Sequence, residues 1–580
     1  MGVIGGERGR SRPPRANEPN GPTATENFAP TVARMMCTKR LVVVISALAL
    51  SASACSSATA DEGPDQRPAG ASNTTSLEQA AGIGPAGSGP APATVTLGLL
   101  LDVDSFDPLG SLGDSGALQA FRFVYDTMVR VDRDGKVVPG IAESWTTEGT
   151  STTFQIRSGL TCSDGTALDA AAVGASIRTL GTEGGMGGAG VFGPGGLKEV
   201  RVDEGANTVT IETGALYNEM LPAMTSSSHI VCPAGLVDRE ALRRTPQGSG
   251  PYELISSQPG TYLLKRRDAY TNLPAGTAIT DLPQTVTLSV IGDDATAADL
   301  LAQNRVQIIA TQSSISSFLA SDPTLVAVPA AGWGTNAVTF MQREQSATAD
   351  PQLRRGMAML LDSVEGSAAE TGGTGISRRT MFTPNLACYS EDLAKAAPAY
   401  DPAAAAALLD SAGYVVGADG FRTRPDGTPL VIRVVGNNFQ GMAPQYIADA
   451  LEAGGFHVDL FVGTYDESIA KLLSDNFDVG MYPYVSSDPS LSSWPNQIGT
   501  SAVANFSRIS NLEFDAYAAA ALAADVDSEQ RCSSWHEAER AALSAADIVP
   551  FSQPVKHWFG NGVTFDATYF TVDPFSIRTA

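Results

Sequence analysis

Histidine is scarce in this chain, positive charge is outnumbered, and long apolar runs are nearly absent. Four histidines occur in 580 residues: His229, His457, His536 and His557. There is no H-E-x-x-H pattern and the cysteine spacings fit no zinc motif, so no metal site is expected. Lysine and arginine number 38 against 62 aspartates and glutamates. Residues 1–54 hold seven of the basic and three of the acidic side chains, leaving 31 against 59 for the rest. A surface of that sign repels phosphate backbones, so nucleic acid is not expected as a partner. Beyond the N-terminal region no run reaches the roughly 18 apolar residues of a membrane span. There is no P-loop and no G-x-S-x-G, and a catalytic triad around any histidine would have to be assembled wholly from distant residues. The chain therefore reads as a non-enzyme without a cofactor. Gly185, Gly187 and Gly190 spell G-x-G-x-x-G, but no clear strand precedes them and Gly193-Pro194-Gly195-Gly196 follows. That segment reads as a loop.

The N-terminal region carries an address. From Met36 the chain runs Met36-Cys37-Thr38-Lys39-Arg40 and then Leu41-Val42-Val43-Val44-Ile45-Ser46-Ala47-Leu48-Ala49-Leu50. A short basic region before a short apolar one is the pattern of a secretory signal peptide, placed at 35–54. Residues 1–34 are polar and rich in Pro, Gly and Arg, an untranslated or disordered extension with translation starting at Met35 or Met36. The signal ends Ala52-Ser53-Ala54-Cys55, which resembles the bacterial lipobox whose cysteine is alkylated by diacylglycerol. Ala52 stands where leucine is usual, and Ala52-Ser53-Ala54 also suits ordinary signal peptidase. Cys55 is the expected lipid anchor, at the extracytoplasmic face of a bacterial cell membrane. Residues 55–93, rich in Ser, Ala, Gly, Pro and Thr, read as a flexible tether.

Past the signal, four cysteines remain: Cys162, Cys232, Cys388 and Cys532. In an oxidising compartment an even number implies two disulfides, with three pairings open. With 43% hydrophobic and 17% charged residues over this length, two or three packed units are expected. Strands and helices alternate along them. Asp401 is a good N-cap, Pro402 suits the first helical position, and Gly413 is placed to end that helix. Further helices are expected at 117–127, 446–453 and 528–545, and strands at 94–101, 152–157, 457–462 and 476–482.

A series of short motifs comes in a fixed order. Asp107-Pro108 precedes a helix that runs into Val124-Tyr125-Asp126-Thr127-Met128-Val129-Arg130. A turn at 132–135 leads to Pro139-Gly140-Ile141-Ala142-Glu143-Ser144-Trp145. Then come Arg157-x-Gly159, Asp164-Gly165-Thr166, Gly248-Ser249-Gly250-Pro251-Tyr252 and Arg267-Asp268-Ala269-Tyr270. Leu353-Arg354-Arg355-Gly356-Met357-Ala358 and Tyr400-Asp401-Pro402 follow. This order resembles the solute-binding proteins of peptide/nickel-type ABC importers, solute-binding protein family 5, over about 94–560.

The resemblance implies an α/β, two-lobed periplasmic-binding-protein fold, type II of the large peptide-binding class, with an extra subdomain in lobe one. Carried over, lobe one spans 94–310 with its insert near 128–240, lobe two spans 311–548, and 549–580 returns to lobe one. The crossings then fall near 308–312 and 546–551. Keeping each disulfide within one lobe favours Cys162–Cys232 and Cys388–Cys532. The implied function is capture of a peptide or peptide-like solute by a monomer that delivers it to ABC permease subunits. Reuse of the fold as a sensor or cell-envelope assembly factor is the alternative.

A peptide needs a carboxylate for its amine, aromatic walls and polar partners for its backbone. The segment Tyr484-Val485-Ser486-Ser487-Asp488-Pro489 offers Tyr484, Ser487 and Asp488. Peptide-binding relatives carry a Trp-x-x-Asp-x-x-Asp-Pro loop here, whose first Asp holds the amine. This loop is shorter and has one Asp, which reads either as the anchor or as a turn cap before proline. Trp333 and Asn336, and Asn437 with Phe439, complete the candidate set. Core packing for Trp333 and a plain turn at Asn437 are the alternatives, and Arg378 and Arg379 read as solvated surface.

Overall fold

The computed structural model describes residues 83–84, 87–110, 115–132, 135–482, 484–502 and 504–580. The extension, the signal peptide, Cys55 and most of the expected tether lie outside them. Residues 87–93, at the end of that tether, are held by the C-terminal tail and by the segment before Thr285–Val290. Thr579 N donates to Pro90 O at 3.0 Å, and Gln284 N to Ala93 O at 3.0 Å.

Two large sheets and a smaller one organise the chain. The first has seven strands in the order Leu325–Ala331, Val555–Asn561, Ile308–Thr311, Thr94–Leu99, Thr285–Val290, Thr261–Arg266, Tyr252–Gln258. Thr94–Leu99 pairs in parallel with both neighbours, and Val555–Asn561 runs antiparallel to both of its own. The second has six, Ile376–Ser377, Ile548–Gln553, Asn336–Phe340, Val479–Tyr482, Val431–Asn437, His457–Gly463. Its strand Asn336–Phe340 is buried on both faces: Val338 and Phe340 enter one core, Ala337 another. Alternation along a strand makes that division unavoidable. The smaller sheet is an antiparallel layer of Ala142–Glu148, Ser151–Ile156, Thr208–Thr213 and Leu197–Asp203. Alternate burial along Ser151–Ile156 shows one face turned to the helix Ala170–Glu183 side of the core.

The local signals hold where they are strong. The helix Pro402–Ser411 is capped by Asp401, whose side chain accepts from Ala404 N, and Gly413 takes φ +90° after it. The strand His457–Gly463 and the helices Ala443–Ala453 and Glu529–Ser544 stand where periodicity put them. The segment with the G-x-G-x-x-G spacing differs: Gly185–Phe192 is a helix, not a loop. A Cβ at Gly188 would lie 2.5 Å from Leu180 O, so glycine lets this helix lie close against the preceding one. Burial of Val191 and Phe192 outweighs poor intrinsic helix propensity.

Both disulfides close within these layers, Cys162–Cys232 and Cys388–Cys532. The first spans 70 residues. Replacing Cys162 and Cys232 together by Ser should lower stability by about 4 kcal/mol in the chain-entropy picture. A urea titration would show it as a lower midpoint, and an unchanged midpoint would mean the bond contributes nothing.

Candidate functional site

The chain passes between the two large sheets twice. Residues 332–335 lead out to Asn336–Phe340, and Pro554 alone separates Ile548–Gln553 from Val555–Asn561 on the way back. The passages are bonded to each other: Gly332 N donates to Pro554 O at 2.9 Å, and Gln553 Nε2 to Gly332 O at 3.0 Å. Gly334 has φ +116°, and a Cβ there would meet Tyr484 O at 2.5 Å, so only glycine fits. Glu370, on the helix Ser363–Thr371, accepts from Asn336 Nδ2, one residue after the first passage, and from Ser552 Oγ, two residues before the second.

Beside the passages lies a cavity of about 640 Å³. Ala330 and Ala331 line it from the first sheet, Trp333 from the passage, Val131, Val138 and Pro139 from a hairpin, and Tyr569 and Phe575 from the C-terminal tail. Both signs of charge are present, as Arg122, Arg130 and Arg157 and as Asp132, Asp566 and Asp573. A smaller cavity of about 50 Å³ shares Arg122, Val131, Trp333, Thr568 and Thr571 with it and adds Ser226, His229, Ser487 and Phe570.

The arginines are not equivalent. Arg130 pairs with Asp126 at 2.7 Å, donates to Tyr270 Oη and Asn272 O at 2.8 Å, and lies over the Phe575 ring. Arg122 Nη2 stands 3.5 Å from Asp573 Oδ1. Arg157 donates Nε to Gly140 O at 2.9 Å and has no carboxylate partner among the described residues. Burial, with the Arg122 cation nearby, pushes His229 down to about 3, so it is neutral in the folded protein.

Polar contacts also join the cores of the two large sheets. Ser226 Oγ lies 2.9 Å from both Ser487 Oγ and Asp488 Oδ2. Asn218 Nδ2 donates to Ala521 O and Ala524 O at 2.8 Å. Glu219 accepts from Leu491 N at 2.9 Å and forms a buried ion pair with Arg531. Residues 218–226 pack with the first sheet's core, and 487–531 with the second sheet's.

The expected site residues divide. Trp333 lines both cavities and Ser487 the smaller one. Asp488 sits behind them, with its oxygens accepting from Ser226 Oγ, Ser486 Oγ and Ser490 N. Burial raises its pKa against the lowering effect of those bonds. The other four line neither cavity. Tyr484 stacks on Trp494 in the core at a centroid distance of 4.2 Å. Asn336 is held by Glu370, Asn437 accepts from Phe439 N at 3.0 Å, and the Phe439 ring is exposed. Arg122, Arg157, Ser226 and the tail residues Tyr569 and Phe575 escape sequence reasoning. Arg157 stands in the Arg-x-Gly motif, yet nothing local says that it faces a cavity.

Comparison with known proteins settles the family. Residues 136–506 match the model of the bacterial extracellular solute-binding proteins, family 5 (its middle part). The chain belongs to that family. No curated protein matches the sequence. A substrate-binding protein from Microbacterium hydrocarbonoxydans, complexed with 4-hydroxybenzoate hydrazide, is 26% identical, with a TM-score of 0.70 over 84% of this chain and 100% of that one. NikA from Brucella suis, in complex with Fe(III)-EDTA, has 20% identity and a TM-score of 0.71 over 84% and 100%. A dipeptide-binding protein from Pseudoalteromonas sp. SM9913, in complex with Met-Leu, has 15% identity and a TM-score of 0.69 over 84% and 100%. The fold is thus the two-lobed α/β architecture of family 5, whose members are extracytoplasmic and bind solutes rather than transform them. Among the described residues no helix is long and apolar enough to cross a membrane.

Glu370 gives the family fold a titratable tie between its two passages. Burial pushes this carboxyl up to about 7 from its ordinary 4.5, against the two hydrogen bonds. Between those values the folded state binds more protons than the unfolded one. Stability from the neutral carboxyl is therefore complete below about pH 4.5 and lost as pH rises through 7. Glu370→Gln, neutral throughout, should gain on the wild type by about 3 kcal/mol from pH 4.5 to 8. Urea midpoints at each pH measure this, and a constant difference would mean that the carboxyl titrates normally.

Proposed function

We propose that this protein is the solute-capturing component of an ABC importer. Diacylglycerol on Cys55 tethers it to the membrane, and it delivers a peptide or peptide-like solute to the permease subunits as a monomer. The cavity carries this reading. Its volume of about 640 Å³ falls within the range usual for small-molecule sites. It lies where two lobes would rotate about paired passages, as in hinge closure. Guanidinium groups face it for a carboxylate and aspartates for an amine, the two ends of a zwitterion. Trp333, Tyr569 and Phe575 offer ring faces, in keeping with the aryl hydrazide in the Microbacterium protein and the dipeptide in the Pseudoalteromonas one.

The lobe division follows the passages. Lobe one takes the strands up to Ala331 and those from Val555 onward, and lobe two the strands between Asn336 and Gln553. On this reading the crossings are 332–335 and Pro554, where the motif order suggests 308–312 and 546–551. Trp333 and Ser487 meet the solute, and Asp488 orients Ser226 and Ser487 across the seam.

A thermal-shift panel of di- to hexapeptides, with 4-hydroxybenzoate hydrazide included, tests the function. Ligand at a hundred times Kd stabilises by about 2.7 kcal/mol, so at least one compound should raise Tm by a few degrees. A flat response across the panel would sink the reading. For Asp488 the seam role predicts that Asp488→Asn weakens free-amine and N-acetylated peptides alike. A loss confined to free amines would instead put the carboxylate on the ligand.

A further inference from the structure

Lys556 is a buried lysine with no anion beside it. It is 5% exposed. Among the described residues no carboxylate lies within ion-pair distance of its Nζ, and no hydrogen bond reaches it. Three rings frame the ammonium instead, with centroids at 4.9 Å for Tyr569, 5.7 Å for Phe570 and 5.8 Å for Trp558. Ring faces attract a cation, but they offset only part of the cost of taking an ammonium out of water. Burial alone draws its pKa down to about 8. An apolar side chain of the same length would fill this space at lower cost, so packing does not explain the lysine.

Its position does. Lys556 stands directly opposite Ala330 in the antiparallel register of the first sheet. Opposed residues of such a pair carry their side chains on the same face, and Ala330 is a wall of the larger cavity. Tyr569 is another wall of that cavity, and Phe570 lines the smaller one. Lys556 itself lines neither cavity, but two of the rings that frame its ammonium, Tyr569 and Phe570, line one cavity each, so the charge lies directly behind their walls.

We propose that Lys556 is the carboxylate-reading residue of the solute site, which rests on the solute-binding function proposed above. A solute whose carboxylate reaches these walls supplies the counter-charge that the fold leaves out. Arg130 is already neutralised by Asp126, and Arg122 faces Asp573. Lys556 thus selects for an anionic end.

The test compares dipeptides with their C-terminal amides. Met-Leu and Met-Leu amide are offered in equal amounts to the full folded protein, and captured species are counted by native mass spectrometry. Wild type should enrich the acid by at least roughly tenfold, the scale of one charged hydrogen bond. In Lys556→Met that ratio should fall towards one, with amide capture undiminished and the Tm of the free protein raised. Lys556→Gln serves where Met does not fold, and the wild-type ratio needs neither variant. Equal capture of acid and amide by wild type overturns the inference and leaves solute binding standing. A preference that survives in the variants also overturns it and transfers the role to an arginine such as Arg157. Capture of neither compound overturns this inference, and the peptide reading falls with it only where the wider peptide panel is flat as well.

Discussion

Only two stretches of the described chain, 332–335 and Pro554, carry it between the two large sheets, and they are hydrogen-bonded to each other. On the function proposed above, capture of a solute between the lobes depends on that narrow double passage. A single connection would swivel freely, and a broad one would weld the sheets into one body. Two adjacent connections define an axis. The sequence on either side serves that geometry. Gly334 turns where Tyr484 O leaves no room for a Cβ, and proline, which brings no N–H to the second passage, occupies the return. Glu370 ties Asn336 to Ser552 just inside the second sheet, so the two strands leave it at a fixed spacing.

The cavity is a consequence of the return. Val555–Asn561 inserts between Leu325–Ala331 and Ile308–Thr311, and the chain then folds back over the face of that sheet. Trp558 Nε1 donates to Thr568 O at 2.9 Å, fixing the tail across the strand it has just left. That fold-back delivers Asp566, Tyr569, Asp573 and Phe575 to the cavity from the last 15 residues. Arg122 and Arg130 come from the other end of the lobe, more than 400 residues earlier. Charges so far apart in sequence converge only because the first sheet is built from both ends of the folded chain.

This convergence also explains what the sequence discloses. Elements are legible where one local cause dominates, as with Asp401, Pro402 and Gly413 around a single helix. The family is legible because its landmarks are turns, whose chemistry is local too. The site is legible only in part. Trp333 and Ser487 lie at the cavity, while Tyr484, three residues before Ser487, is spent on stacking with Trp494. Asp488 reads as an anchor or a cap, and its partner Ser226 lies 262 residues away, where no periodicity points to it. Lys556 has no motif at all. Its environment is made by the sheet register and by rings that follow it in the tail, so composition and spacing are silent about it.

The seam is polar where it could have been greasy, and the reason lies in what must happen to it. Asn218, Glu219 and Ser226 meet Ala521, Ala524, Arg531 and Asp488 through hydrogen bonds and one ion pair. Apolar contacts of equal area would hold the lobes closed with a force that grows with every square ångström buried. A buried ion pair behaves otherwise: desolvation cancels much of its attraction, so its net contribution is small while its geometry stays exacting. Separating Glu219 from Arg531 returns both to water, which repays most of what is lost. Arg531 Nε is buried without a hydrogen-bond partner among the described residues. Such a seam specifies how the lobes meet without deciding whether they stay together. On the function proposed above, that decision falls to a solute in the cavity.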